Sequence, residues 1–148
     1  MKITFVHPSI GRRKGEDYMR TWQMESLPVA ALKALTPPET AFYDDRMEAI
    51  AFDDPTDLVA IPIETYTAKR AYQIASEYRR RGVPVVMGGF HATLMPDEVA
   101  DYADAVVIGE AEAVWPEVVD DARYGVLKPL YKGRDRRDLN GVRFDRSV

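Results

Sequence analysis

Three short apolar runs, at residues 58–63, 83–87 and 105–108, restrict most sharply what this chain can fold into. Each is apolar at successive positions, so both of its sides need cover, as in strands buried within a parallel sheet. Helical patterns separate the runs. Ala71, Ile74, Ala75 and Tyr78 form an apolar stripe, and Arg79, Arg80 and Arg81 occupy a last turn that Gly82 closes. Pro96 opens a short helix with Asp97 and Glu98 where the helix dipole favours acids. Trp115, Val118, Val119 and Ala122 make another stripe, ended by Gly125. Strand and helix alternating in this way predict βαβ units.

The amino-terminal part continues the pattern. Residues 2–7 and 40–43 read as strands, and Leu27, Ala30, Ala31 and Ala34 as a helix that stops before Pro37-Pro38. The loop at 8–23 is long for a βα connection, and such loops are usually functional or disordered. Residues 44–55 hold at most one helical turn, around 47–50. The expectation is a flavodoxin-like, doubly wound parallel sheet of about five strands, order 2-1-3-4-5, with right-handed crossovers and helices on both faces. One domain is expected over 1–132. The charged, apolar-poor residues 133–148 read as a linker.

Composition narrows the function classes. A chain of 148 residues can bury a single core, and 46% hydrophobic with 30% charged residues is the balance of a globular protein. A net charge of −4 argues against binding nucleic acid. With no cysteine, disulfides, thiolate zinc sites and iron–sulfur ligation have no ligands in this chain, which fits a reducing compartment. No apolar run approaches the roughly 18 residues of a membrane span, and the first residues are no signal peptide, so a cytoplasmic domain is expected.

In such a fold the ligand crevice lies outside the carboxyl ends of the strands. The residues that follow the strands are His7, Pro8, Ser9 and Gly11; Glu64, Thr65, Tyr66 and Thr67; Gly88, Gly89, Phe90, His91 and Thr93; and Gly109 and Glu110. His7-Pro8-Ser9-Ile10-Gly11 cannot serve as a dinucleotide fingerprint, there is no P-loop, and Asp44 alone is a weak ribose-binding signal. Two histidines far apart in sequence do not make a metal site. Gly88-Gly89 fits either a close approach of ligand to backbone or a tight turn at positive φ. Thr65 and Thr67 are natural N-caps. Lys69 and Arg70 in the first turn of that helix oppose its dipole, which fits either a bound phosphate or plain solvation.

The stretch Val85-Val86-Met87-Gly88-Gly89-Phe90-His91-Ala92-Thr93, followed by Asp104-Ala105-Val106-Val107-Ile108-Gly109-Glu110-Ala111-Glu112, resembles the N-terminal cobalamin-binding domain of B12-dependent radical S-adenosylmethionine enzymes. The strand from Asp57, Arg70-Ala71-Tyr72 and Leu127-Lys128-Pro129-Leu130-Tyr131 are similar to it too, so the resemblance covers roughly 55–132. It implies a module that holds cobalamin over the strand ends and buries the nucleotide tail in the sheet crevice, with no chemistry of its own. It also implies a partner domain, the protein's own radical S-adenosylmethionine barrel, carrying the 4Fe-4S cluster and S-adenosylmethionine, so that this chain is a piece of a longer methyltransferase or cyclase-like enzyme. The cofactor-binding residues it implies are Ser9, Thr65, Tyr66, Thr67, Gly88, Gly89, His91 (at the rim), Thr93, Gly109 and Glu110, with no metal ligand. Two departures stand out. A cobalt-ligating D-x-H-x-x-G fails at Phe5 and Ile10, and Pro62-Ile63-Glu64 replaces a Ser-x-Leu after strand three. Alternatives are a flavodoxin-like interaction domain that has lost its ligand, and a flavin- or nucleotide-binding domain.

Overall fold

A computed structural model describes residues 1–11, 24–36, 39–133 and 143–145. Six parallel strands form one sheet in the order β2-β1-β3-β4-β5-β6. They are β1 (Ile3–His7), β2 (Thr40–Asp44), β3 (Leu58–Pro62), β4 (Val85–Gly88), β5 (Ala105–Ile108) and β6 (Leu130–Lys132). The helices are α1 (Leu27–Lys33), α2 (Ala68–Arg80), α3 (Phe90–Leu94), α4 (Pro96–Ala100) and α5 (Trp115–Arg123), with a 3-10 turn at Ala111–Ala113.

Period-two alternation sends successive side chains to opposite faces of a strand. Val59, Ile61, Ile63, Val85, Met87 and Val106 meet Ala71, Ile74, Ala75 and Tyr78 of α2, with Ala92 and Val99 beside them. Ile3, Phe5, Leu58, Ala60, Val86, Ala105 and Val107 meet Val29 of α1 and Trp115, Val118 and Val119 of α5. The stripe read for α2 is the buried one, and Gly82 and Gly125 take the positive φ that a helix exit uses.

The structure corrects several local expectations. A sixth strand follows α5. It has three residues, and only Tyr131 is buried, too little apolar surface to read as a strand. Residues 90–94 form a helix rather than a loop. Strand four starts at Val85, because Val83 N–H donates to the Tyr78 carbonyl at 3.1 Å and closes the end of α2 instead. The turn after β2 is centred earlier than 47–50, with Met47 and Glu48 N–H both donating to the Asp44 carbonyl. Most of the long loop, residues 12–23, lies outside the described residues, as does most of the charged tail.

The crossovers do not all share one hand. β1 to β2 and β3 to β4 step in opposite directions along the sheet with α1 and α2 on opposite faces, which makes their hands equal. β5 to β6 steps the same way as β3 to β4, yet α5 lies on the α1 face, so this last connection has the opposite hand. Trp115 holds α5 there. Its ring lies 5.8 Å from Phe5, and its indole N–H donates to Thr36 Oγ1 at 2.8 Å.

Candidate functional site

With α1 and α5 on one face, the carboxyl ends of the central strands lie in a trough between two helices. The side chains that point into it are small: Ala60 and Pro62 on β3, Val86 and Gly88 on β4, and Val107 with Gly109 just beyond β5. Leu27, Pro28, Ala31 and Leu32 of α1 form one wall, and Ala111, Glu112 and Trp115 the other. The result is a mostly apolar cleft of about 480 Å³, within the usual range of small-molecule sites. Its charged lining residues are Glu64, Glu110 and Glu112, with no lysine or arginine among the described ones.

Of the expected binding residues, Gly88, Gly89, Thr93, Gly109 and Glu110 line this cleft. Gly89 does so under constraint. Its φ is +99°, and a Cβ there would stand 2.9 Å from the Ile63 carbonyl oxygen and 3.1 Å from the Ile63 nitrogen. Protein backbone, before any ligand, requires glycine at 89, so of the two readings of Gly88-Gly89 the tight turn at positive φ accounts for Gly89. Gly88 is different: a Cβ there would meet only Val107, at 3.4 Å, on the cleft floor. Gly109, at φ +74°, passes Gly133 so closely that a Cβ would lie 3.1 Å from its carbonyl. Thr93 is not a free donor toward the cleft, since its hydroxyl donates to the Gly89 carbonyl and accepts from Gly109 N–H, both at 3.0 Å.

Ser9, Thr65, Tyr66, Thr67 and His91 are outside the cleft lining. His91 is buried, not at the rim. Its Nε2 lies 3.1 Å from the Tyr72 hydroxyl and its Nδ1 3.2 Å from Thr65 Oγ1. Tyr72 donates to Glu98 at 2.8 Å, which leaves its oxygen to accept Nε2–H and Nδ1 to accept from Thr65. Tyr72 in turn holds the Glu98 carboxyl below the usual carboxylate range. Thr67 is buried and hydrogen-bonded to the Glu64 backbone rather than capping α2 with its side chain. Tyr66 is exposed.

Ser9 belongs to a second buried cluster that fixes the entry to the long loop. Its hydroxyl donates to Asp45 Oδ2 at 2.5 Å and accepts from Gly11 N–H at 3.1 Å. Arg70 grips both oxygens of the same carboxylate, at 2.9 and 2.6 Å. Burial would raise the Asp45 carboxyl, but Arg70 and Ser9 outweigh it and hold it low. Arg70 therefore answers to Asp45, which accounts for its place at the start of α2 without a phosphate, while Lys69 beside it is exposed. Asp44 is likewise engaged, by Arg46 at 2.6 and 2.8 Å.

His7 ends β1 on the cleft face, with Nδ1 2.7 Å from Ser26 Oγ at the start of α1. Burial, with the nearby Arg46 charge, pulls it down to about 4, so it is neutral at ordinary pH. Among the described residues no group of three or more potential ligands is placed to hold a metal ion. No described helix is long and apolar enough to cross a membrane.

Most of the cleft was not singled out from sequence. Ala60, Pro62, Val86 and Val107 read as ordinary core, and Leu27 to Leu32 as an ordinary stripe. The available signal was the fall in side-chain size toward the ends of three successive strands on one alternation.

Comparison with known proteins bears on this geometry. A family model described as the B12 binding domain matches residues 22–119. Over 110 residues the chain is 39% identical to bacteriochlorophyllide d C-8(2)-methyltransferase of Chlorobaculum tepidum, covering 72% of this chain and 24% of that protein. Over 83 residues it is 36% identical to the C-12(1)-methyltransferase of the same organism, covering 56% and 18%. The chain thus spans a quarter or less of the curated relatives it matches. A solved N-terminal domain of a hypothetical protein from Thermotoga maritima superposes with a TM-score of 0.46 at 18% identity, over 58% of this chain and 74% of that one.

Proposed function

We propose, from the premise that this chain belongs to the B12-binding domain family, that it holds cobalamin with the nucleotide tail in the cleft between α1 and α5. The observation that carries this placement is the trough of small side chains at the ends of β3, β4 and β5. Gly88 and Ala60 leave room at its floor for a flat base, and Leu27, Ala31 and Trp115 offer apolar walls. The corrin ring would lie across the exposed carboxyl edge, where Ile10, Tyr66 and Phe90 present apolar surface to solvent. Neither histidine ligates cobalt in this reading, because the D-x-H-x-x-G pattern fails on both sides of His7 and His91 is buried among Thr65, Tyr72 and Glu98.

When bound, cobalamin supplies a cobalt centre that can carry a methyl group. The chain's own residues bind and orient it, and the catalytic step belongs to another domain. That domain is a radical S-adenosylmethionine domain of a longer cytoplasmic protein, reached through residues 133–148. An iron–sulfur cluster finds no cysteine ligand in this chain. The names of the relatives favour methyl transfer over cyclisation.

A flavin mononucleotide reading has less support. Its dianionic phosphate needs cations or convergent N–H donors, whereas the described lining offers three glutamates and no basic side chain. The test is direct. After mixing with hydroxocobalamin and desalting, the protein should keep the visible spectrum of about one equivalent, and after mixing with flavin mononucleotide it should keep none. A colourless protein from the first mixture would leave the interaction-domain reading standing, and a yellow one from the second would favour the flavin.

A further inference from the structure

One aromatic side chain in the cleft comes from no helix or strand at all. Phe144 lines the cleft, with 45% of its surface still exposed. Its neighbour Asp145 lies against α1, the wall itself: the Asp145 N–H donates to the Ala30 carbonyl at 2.9 Å, and its carboxylate is 3.8 Å from Lys33 Nζ. The chain leaves β6 on the opposite side. Gly133 N–H donates to the Ile108 carbonyl at 2.8 Å, and a Cβ at 133 would collide with the Glu110 carbonyl, so this departure is fixed beside the other wall. The same chain therefore leaves at one side of the cleft and is bound to the other by residue 145.

We propose that residues 143–145 are a strap that closes the cleft in the ligand-free domain, with Phe144 standing where the nucleotide tail of cobalamin enters, and that loading the cofactor displaces it. The proposal rests on the cobalamin reading above. The anchors are of the releasable kind. The Ala30 carbonyl is shared with Ala34 N–H at 3.3 Å, and the ion pair is long and partly solvated, worth little in itself. Phe144 supplies the apolar hold. A cleft that is open only a fraction of the time weakens apparent affinity by that fraction.

The experiment uses the full chain and Phe144→Ala, whose melting temperatures confirm that both are folded, with hydroxocobalamin as the probe. Two quantities are read: the dissociation constant by visible absorbance, and the exchange of the Asp145 amide by nuclear magnetic resonance. Phe144→Ala should bind roughly tenfold tighter, for a strap closed about nine parts in ten. The Asp145 amide should be protected in the free full chain, unprotected in Phe144→Ala, and lose protection as cobalamin saturates the site. Equal or weaker binding by Phe144→Ala would overturn the proposal, weaker binding because Phe144 would then be packing on the ligand. An Asp145 amide that is unprotected without ligand, or stays protected at saturation, would overturn it as well. If neither protein bound cobalamin, the cobalamin reading would fall and displacement by that ligand with it, while the amide of the free chain would still decide whether the strap closes.

Discussion

On the α2 face the central strands end in Ile61, Ile63, Met87 and Ile108, while on the α1 face the same strands end in Ala60, Pro62, Gly88 and Gly109. Both sets are apolar or neutral, and both obey one alternation. They differ in volume. Large side chains pack α2, α3 and α4 against the sheet, with Tyr72, His91, Thr65 and Glu98 latched by hydrogen bonds at the edge. Small ones keep α1 and α5 apart at the same height and leave a cleft. In a close-packed interior a gap of this size persists only if backbone and helix positions are held by something else. Here Trp115 with Thr36, and Ser9 with Asp45 and Arg70, do the holding. Whether this sheet edge becomes packed core or open cleft is decided by side-chain size, with hydrophobicity nearly constant.

The largest effect should come from opening the packed face. Met87 is fully buried, and Met87→Ala should cost about 2–5 kcal/mol by denaturant unfolding, with cobalamin affinity per folded molecule unchanged. A comparable fall in affinity would mean the two faces are not independent.

Acid should act next, and on the cleft face first. The folded chain keeps His7 neutral down to about 4, while the unfolded chain takes up its proton near 6.5. Stability from this group is therefore full above pH 6.5 and lost as the pH falls to about 4, by about 3 kcal/mol. Unfolding curves of the wild type and His7→Asn across that window should diverge, the variant being flatter. Parallel curves would place the acid sensitivity elsewhere.

The paired glycines sharpen the comparison within a single turn. Gly89→Ala puts a Cβ at positive φ and against Ile63, so it should lower the stability of the ligand-free domain by about 1–3 kcal/mol. An unchanged melting temperature would show that the turn relaxes.

Gly88→Val, one residue earlier, faces the cleft floor and should do the reverse. We expect cobalamin binding roughly five- to hundredfold weaker, the equivalent of about 1–3 kcal/mol, with a melting temperature near that of the wild type. Unaltered binding would move the nucleotide tail off the Gly88 floor.

Sequence alone determined the fold class and five of the strands, because buried parallel strands and amphipathic helices carry local periodicities that no tertiary contact has to supply. The family resemblance was legible for the same local reason, in Gly88-Gly89-Phe90-His91-Ala92-Thr93 and the run ending Gly109-Glu110. What that motif does is a different matter, and only the tertiary structure decided it. Gly89 is required by Ile63, His91 is locked to Tyr72 and Thr65, and Thr93 ties two loops together, so half of the motif is a frame around the cleft. Residue type cannot tell a hydroxyl aimed at a ligand from one satisfied 26 or 16 residues away. Nor could sequence place α5 on the α1 face, reveal a three-residue strand resting on Tyr131 alone, or bring Phe144 back onto α1. Each of these depends on packing between segments far apart in the chain, where the deciding free energy is that of a contact formed only once the sheet exists.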